Sequence, residues 1–588
     1  MHRARPMLAL AGVAFAVGAV VGAQHSGSPA GALAAGFAQA WVRGDYATMY
    51  SDVDLASRRH TSPSAFAHAY QHALRIATAT RLQVAGAPRA AREGMVAVPV
   101  LVHTRLFGTL RLSFAVKTAE EGDSGTHIVW SHSLTFPGLN SGEHLTRKTA
   151  LPRRATLVAR DGTVLAESPG AALGGQSAEG VRITPLGSFA SAVLGTVGPV
   201  PASRRSTLEA EGVPPDALVG VSGLERALDD RLRGRPGGEL LAAGGQPGEP
   251  GRVLAYAAPQ PASPVRTTVS PAIQRAAVTA LGGQYGGIVA LRPSSGQILA
   301  VAGIGLDGLQ PPGSTFKMVT LAGVLQARIA APHDSFPYSS FSTLDGVRLD
   351  NANGENCGGS LELAFAVSCN SVFAPLGVEL GAARLVATAE ELGFNHDTGI
   401  PGAPQSTLPA PAQIQGELDL GSTAIGQGRV LATPLQMATV AATIADGGRR
   451  PRPTFVLAGG GAPTRVMSAE VARTVRHMMT GVVRFGTGTS AAIPGVVVAG
   501  KTGTAELQTR CSQAAEARSG EASGEAPSEG CEGSASEPSN TDAWFAAFAP
   551  AVHPRIAICV MLVKAGAGGD TAAPVAREVL EAGLHGGA

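Results

Sequence analysis

Lysine is the charge this sequence uses least. Of 46 basic residues only five are lysines: Lys117, Lys148, Lys317, Lys501 and Lys564. Wherever a positive charge needed only to be solvated, arginine fills the position. A lysine kept against that bias points to chemistry arginine cannot perform, because a guanidinium stays protonated whereas a desolvated ammonium can lose its proton and act as a base. Net charge is equally scarce. At +2 over 588 residues the chain has no cationic excess, which argues against nucleic acid as a partner. Cysteine is rare too. No cysteine precedes Cys357, so lipid attachment through an N-terminal cysteine is excluded, and no spacing resembles a zinc site. The five cysteines cannot all pair internally. Cys357 with Cys369 and Cys511 with Cys531 are candidate pairs, while Cys559, in the apolar run "RIAICVMLV", reads as a buried strand residue.

Glycine and proline, in contrast, are abundant at 76 and 40, beside an ordinary hydrophobic content of 44%. That composition describes globular units with many loops, and the length suggests about three to four domains. The N-terminus pairs "MHRARP" with an uncharged run from Met7 to Ala23. Roughly 17 apolar residues is close to the minimum for a membrane span. A signal peptide cut after Val21-Gly22-Ala23 is the competing reading. The run is long for a signal, so residues 1–24 are expected to be an uncleaved single-pass anchor, with arginines in the cytoplasm and everything else outside.

Residues 30–140 read as a small α+β unit. "GFAQAWVRGDYATMY" places Phe37, Trp41, Met49 and Tyr50 near helical spacing around a Gly-Asp break, "SAFAHAYQHALRIA" is a second helix, and "MVAVPVLVHTRL", "GTLRLSFAVKTA" and "THIVWSHSLTF" are strand-like. The aromatic stripe is expected to be core. A Gly/Pro-rich stretch, 145–260, opens with a hairpin turned at Asp161-Gly162 and carries "VGVSGLERALDDRLRGRPGGEL", expected as a helix ended by Gly234. From residue 265 to 588 long helices lie between strands at both ends, "YGGIVALRPSSGQILAVAG" early and "GVVVAGKTGTAEL", "AWFAAFAP" and "RIAICVMLVKAG" late. Distant segments should therefore share one sheet. Residues 507–541, rich in Ser, Glu, Gly and Ala, read as a disordered surface insertion.

Two of the five lysines sit in solitary polar clusters. In "PPGSTFKMVT" Ser314 lies at a helix start and Lys317 one turn on, on the same face. A serine hydroxyl needs a base to become a nucleophile, and a neutral lysine within reach can be that base. Ser368-Cys369-Asn370 is the chain's one S-x-N, in an apolar helical stretch, and Lys501-Thr502-Gly503 its one K-T-G, ending an apolar strand. Taken singly, Ser368 and Asn370 read as a helix cap and Lys501 as an exposed edge-strand charge. Their order makes coincidence a poor account.

With S-x-x-K, S-x-N and K-T-G in sequence, the chain resembles the penicillin-binding proteins and serine β-lactamases. "GSTAIGQGRVLATPLQMA", "RDGTVLAES" and "GVSGLERALDDRLRGRPGG" are similar to segments of class B penicillin-binding proteins, and the first unit resembles the nuclear-transport-factor-like domain of the methicillin-resistance type. One departure is Ser270, where the family usually has aspartate; its effect is expected in local packing. The resemblance implies a multidomain α+β protein. Its catalytic domain would be an antiparallel sheet flanked by helices with a helical subdomain, preceded by a cone-like α+β domain and a pedestal or dimerisation-type domain.

The resemblance also implies a reaction and its residues. Ser314 would attack the penultimate D-Ala carbonyl of a peptidoglycan stem peptide ending in D-Ala-D-Ala, Lys317 would take its proton, and Ser368 would pass a proton to the leaving D-alanine. Asn370 would orient Lys317. Lys501 and Thr502, with Gly503 and Thr504 in the same strand, would bind the terminal carboxylate, and the N–H groups of Ser314 and Thr504 would hold the oxyanion. β-Lactams would acylate the same serine. No cofactor or metal is implied, and a cell-wall glycosyltransferase is the partner the family suggests. A serine β-lactamase, a D,D-carboxypeptidase and a non-catalytic penicillin-binding scaffold are the alternatives. No deacylating glutamate motif is recognisable, and the upstream region lacks the Glu-Asp segment expected of a bifunctional glycosyltransferase.

Overall fold

The computed structural model describes residues 28–91, 94–120, 125–169, 182–244, 251–457, 459, 461–506 and 540–585. The N-terminal apolar run, the Cys511–Cys531 pair and nearly all of the insertion lie outside the described residues. Two compact units emerge. One runs to Arg153 and includes Val200–Ala217 and Arg233–Ala262; the other holds Arg154–Pro199, Leu218–Leu232 and Ser263–Ala588. The stretch 145–260 is thus shared between them.

In the first unit, α1 (Pro29–Arg43) starts where the Ser28 hydroxyl accepts from Gly31 N–H and stops at Gly44, whose φ of +69° suits glycine. Asp45 then caps a short helix by accepting from Thr48 N–H, so the Gly-Asp break is a helix end followed at once by a helix start. α2 (Pro63–Ile76) is capped by Ser62. Both helices belong with an antiparallel sheet in the order β1 (Ala79–Val84), β2 (Val96–Thr104), β3 (Thr109–Glu120) and β4 (Thr126–Val129). Along β2 Val96, Val98, Val100 and Val102 are buried and their neighbours less so, the period-two pattern of a one-sided sheet. Phe37, Trp41 and Met49 enter the core with Phe66, Tyr70 and Phe114, and Trp41 meets Phe114 edge-on at 4.8 Å. "THIVWSHSLTF" is strand only to Val129. Both backbone groups of Trp130 bond to the Ser57 hydroxyl at 3.2 Å, which ends the ladder, and a 3₁₀ turn follows at His132–Thr135. A second sheet runs in the order β7 (Arg252–Ala257), β6 (Gly237–Ala243), β5 (His144–Ala150).

In the second unit the expected hairpin forms at Leu157–Val158 and Val164–Ala166, with the Asp161 carboxylate accepting from Thr163 N–H. The single helix read into "SGLERALDDRL" is two short ones, Gly223–Ala227 and Asp229–Leu232. An ionic knot fixes them. Glu225 accepts from Arg154 at 2.6 Å and from Arg182 at 2.7 Å, and Asp229 accepts from Arg154 at 2.8 Å and from Gly220 N–H. α3 (Pro271–Leu281) follows Ser270, whose side chain makes no capping bond; its backbone N–H goes instead to Leu299.

The central sheet unites distant segments in the order β9 (Ile298–Gly303), β8 (Gly286–Leu291), β12 (Ile556–Leu562), β11 (Thr541–Ala549), β10 (Ala499–Glu506), all antiparallel. Thr541, placed by sequence at the end of the insertion, opens β11 and is buried, paired with Glu506. Between β9 and β10 run α4 (Lys317–Gln326), α5 (Leu361–Ala366), α6 (Asn370–Leu380), α7 (Pro434–Ala445) and α8 (Ala469–Arg484), and α9 (Ala572–His585) closes the chain. α3 and α9 cover one sheet face, and α7, buried along its whole length, packs on β8, β11 and β12. Among the described residues no single helix is long and apolar enough to cross a membrane.

Candidate active site

Ser314 sits in a 3₁₀ turn, Gly313–Phe316, that runs straight into α4 at Lys317. The turn is held by close backbone approaches that only glycine permits. Gly313 has φ +50°, and a Cβ there would lie 2.7 Å from the Thr504 carbonyl oxygen; one on Gly503 would lie 2.7 Å from the Pro312 oxygen. From the other side Gly313 N–H donates to the Gly426 carbonyl at 2.9 Å, and the Thr320 hydroxyl donates to the Ala424 carbonyl at 2.6 Å. The S-x-x-K turn is therefore wedged between the K-T-G strand and the segment beginning "GSTAIGQG". Because β10 is an edge strand of the sheet, its outer N–H and C=O groups face away from β11 beside this turn.

S-x-N does not continue a helix, as its sequence suggested. α5 stops at Ala366, Ser368 adopts φ +64°, and α6 restarts at Asn370 with Cys369 as its N-cap residue. A disulfide joins Cys369 to Cys357 with a Cα separation of 5.8 Å. Asn351, which no sequence motif marked, closes the turn. Its side-chain oxygen accepts from Ser371 N–H at 2.8 Å, and its amide donates to the Ser339 and Glu355 carbonyls at 2.7 and 2.8 Å. The strained serine is thus fixed from both flanks.

Both motif lysines are fully buried. Lys317 Nζ donates to the Ser368 carbonyl and to Asn370 Oδ1, each at 2.6 Å, and lies 3.4 Å from Ser368 Oγ. Asn370 is oriented in turn by its own amide, which donates to the Asp350 carbonyl at 2.9 Å. Lys501, expected singly to be an exposed edge charge, instead points inward and donates to Ser368 Oγ at 2.8 Å and to the Thr502 carbonyl at 3.1 Å. Burial pushes the Lys317 pKa well down, and the neighbouring charge of Lys501 pushes it further. Burial alone brings Lys501 down to about 7. A neutral amine has two N–H donors and one lone pair. At Lys317 both donors are taken by Ser368 and Asn370, so the lone pair is left for a hydroxyl proton.

The structure brings Lys317, Ser368, Asn370 and Lys501 into one hydrogen-bonded set, with the backbone of Gly503 and Thr504 against the Ser314 turn. The Ser314 hydroxyl itself has no hydrogen-bond partner among the described residues. Thr502 Oγ1 lies 2.5 Å from Thr487 Oγ1, and Thr504 Oγ1 accepts from Gly568 N–H at 3.4 Å. Neither Thr487 nor Gly568 carried a sequence signal beyond glycine-rich surroundings. Among the described residues no group of three or more His, Cys, Asp or Glu side chains could hold a metal.

Three family models match the chain: a penicillin-binding protein transpeptidase domain over residues 286–581, a penicillin-binding protein dimerisation domain over 175–264, and an NTF2-like N-terminal transpeptidase domain over 29–143. The peptidoglycan D,D-transpeptidase PbpA of Mycolicibacterium smegmatis is 32% identical over 391 residues, covering 55% of this chain and 72% of that protein. The peptidoglycan D,D-transpeptidase MrdA of Acinetobacter baumannii is 27% identical over 457 residues, 68% of this chain and 65% of its own length. Among solved structures, penicillin-binding protein A from M. tuberculosis as a ceftriaxone acyl-enzyme complex superposes with a TM-score of 0.55 at 26% identity, over 74% of this chain and 98% of that one.

Proposed function

The chain belongs to the class B penicillin-binding protein family, and on that premise we propose that it is a serine peptidoglycan D,D-transpeptidase, acylated by β-lactams, with Ser314 as its nucleophile. One observation carries the assignment of roles. The Lys317 amine is buried, depressed in pKa and fixed by two acceptors one helical turn after Ser314, and a second buried amine reaches the same Ser368 hydroxyl.

Lys317 takes the Ser314 proton as Oγ attacks the penultimate D-Ala carbonyl. The N–H groups of Ser314 and Thr504 hold the oxyanion; losing one such donor typically costs about 3–4 kcal/mol of barrier. As the C–N bond breaks, Ser368, set between the two amines, passes a proton to the departing D-alanine nitrogen. Lys501, Thr502 and Thr504 bind the substrate's terminal carboxylate. An amine from a neighbouring stem peptide then attacks the acyl-enzyme, forms the crosslink and frees Ser314. A β-lactam opens at the same step, but its leaving nitrogen stays tethered and the acyl-enzyme persists.

The charged start and apolar run at residues 1–24 support an extracytoplasmic enzyme held by a single-pass anchor; a cell-wall glycosyltransferase is the partner that the family suggests. Labelled penicillin tests the central reading: a long-lived adduct on the wild type, absent from Ser314→Ala, is expected. A transient adduct would indicate a β-lactamase, release of free D-alanine without crosslinks a carboxypeptidase, and no adduct a scaffold.

A further inference from the structure

Thr487 lies outside every motif, yet it touches one of them and the backbone that leads into another. It follows α8 in "RFGTGTS", where the chain crosses the end of α5. Its N–H donates to the Ala366 carbonyl at 3.1 Å, two residues before Ser368, and its hydroxyl reaches the same carbonyl at 3.4 Å. Gly486 makes the crossing possible, since a Cβ there would lie 2.2 Å from that oxygen. On its other side the Thr487 hydroxyl meets Thr502 Oγ1 at 2.5 Å. The loop before α9 presses from above: a Cβ on Gly569 would lie 2.1 Å from the Thr487 carbonyl oxygen. Thr487 nevertheless remains an exposed residue.

Two hydroxyls at this distance share one proton between them, so their directions are coupled. If Thr487 donates to Ala366, it must accept from Thr502, and the Thr502 proton is spent. If Thr487 donates to Thr502, the Thr502 proton is free to point into the cleft. A carboxylate accepts hydrogen bonds and offers none, so its arrival favours the second arrangement. We propose that Thr487 is a positioning residue for the substrate carboxylate: its hydroxyl orients the Thr502 proton toward the bound anion and ties the K-T-G strand to the backbone that precedes S-x-N. The inference rests on the reading that Thr502 binds the terminal carboxylate.

The test measures second-order acylation of wild type, Thr487→Val and Thr487→Ser by one β-lactam in two forms, the free carboxylate and its methyl ester. Valine keeps the shape and removes the hydroxyl. Loss of a hydrogen bond that serves a charged group should slow the valine variant about tenfold toward the carboxylate, through weaker binding with the limiting acylation rate little changed. The ester should react with wild type and valine variant alike, and serine should restore most of the carboxylate rate. Equal losses toward acid and ester, or no loss with either, would overturn the proposal, as would a serine variant no better than valine. Thermal melting of all three proteins accompanies the rates, so that a fold defect registers as the equal-loss outcome. Wild-type protein unlabelled by either form would overturn the transpeptidase reading itself, a result distinct from any pattern among the variants.

Discussion

Lys501 donates to the hydroxyl of Ser368 at 2.8 Å across 133 positions of sequence. The contact joins an edge strand to the turn between two helices. It makes Ser368 the bridge between two buried amines, one of which, Lys317, is held by the same residue's carbonyl. Removing the Ser368 hydroxyl takes a partner from both buried amines, and removing either lysine takes one from Ser368.

Lys317→Arg should abolish acylation, since a guanidinium keeps its proton and cannot serve as base. Lys317→Met should be as inactive, with a loss of about 10²–10⁴ in acylation rate for a missing general base. The methionine variant is expected to melt below wild type, because the Ser368 carbonyl and Asn370 Oδ1 lose the donor that pairs them. Acylation rate and melting temperature measured on the same preparation check both halves.

The pH profile follows from two depressed amines. Burial, with the charge of Lys501 beside it, holds the Lys317 pKa well down and favours its neutral form, and Lys501 loses its proton near pH 7 in the free enzyme. Second-order acylation by a carboxylate substrate should therefore fall as pH rises through about 7. In the limiting rate at saturation that limb should move to higher pH, since a bound carboxylate favours the charged lysine. Lys501→Gln removes a neighbouring positive charge, so the Lys317 pKa should rise and the acid limb should move to higher pH.

Stability carries the opposite sign. Folding holds Lys501 at about 7, whereas an unfolded lysine titrates near 10.4, roughly. Between those values the unfolded chain binds the extra proton, so this lysine's unfavourable contribution is full below the lower value and fades as pH rises toward the upper one. Denaturant unfolding of wild type and Lys501→Met at several pH values should show their difference shrinking on the alkaline side.

Gly313→Ala would put a methyl 2.7 Å from the Thr504 carbonyl oxygen at a φ of +50°. Strain of this kind costs about 1–3 kcal/mol, and relief by movement would pull the Ser314 turn off the K-T-G strand. Lower melting temperature together with slower acylation is expected. A variant that acylates at the wild-type rate would contradict the proposed use of this close approach.

Serine at both Cys357 and Cys369 frees the turn that carries Ser368. With the two cysteines 12 positions apart, the lost crosslink should cost about 3 kcal/mol by the loop-closure account. Acylation should also slow, because Ser368 holds a positive φ that its flanks enforce. Treating wild type with a reductant should reproduce both effects, as followed by unfolding and by penicillin labelling.

The sequence by itself determined the chemistry and much of the local structure. Alternating valines specified β2, serine and aspartate caps started the first unit's helices, and lysines kept against an arginine bias marked Lys317 and Lys501. These signals are local: a side-chain period, a capping hydroxyl, a residue type with one distinctive proton affinity. Only the tertiary structure decided that Lys501 turns inward, that the apolar stretch around Ser368 breaks, and that Thr487, Asn351 and Gly426 bond to the segments that carry the three motifs. Their roles come from contacts between segments far apart in the chain, made where one backbone passes another at glycine, and nothing in a residue's own neighbourhood encodes which distant carbonyl or hydroxyl it will meet.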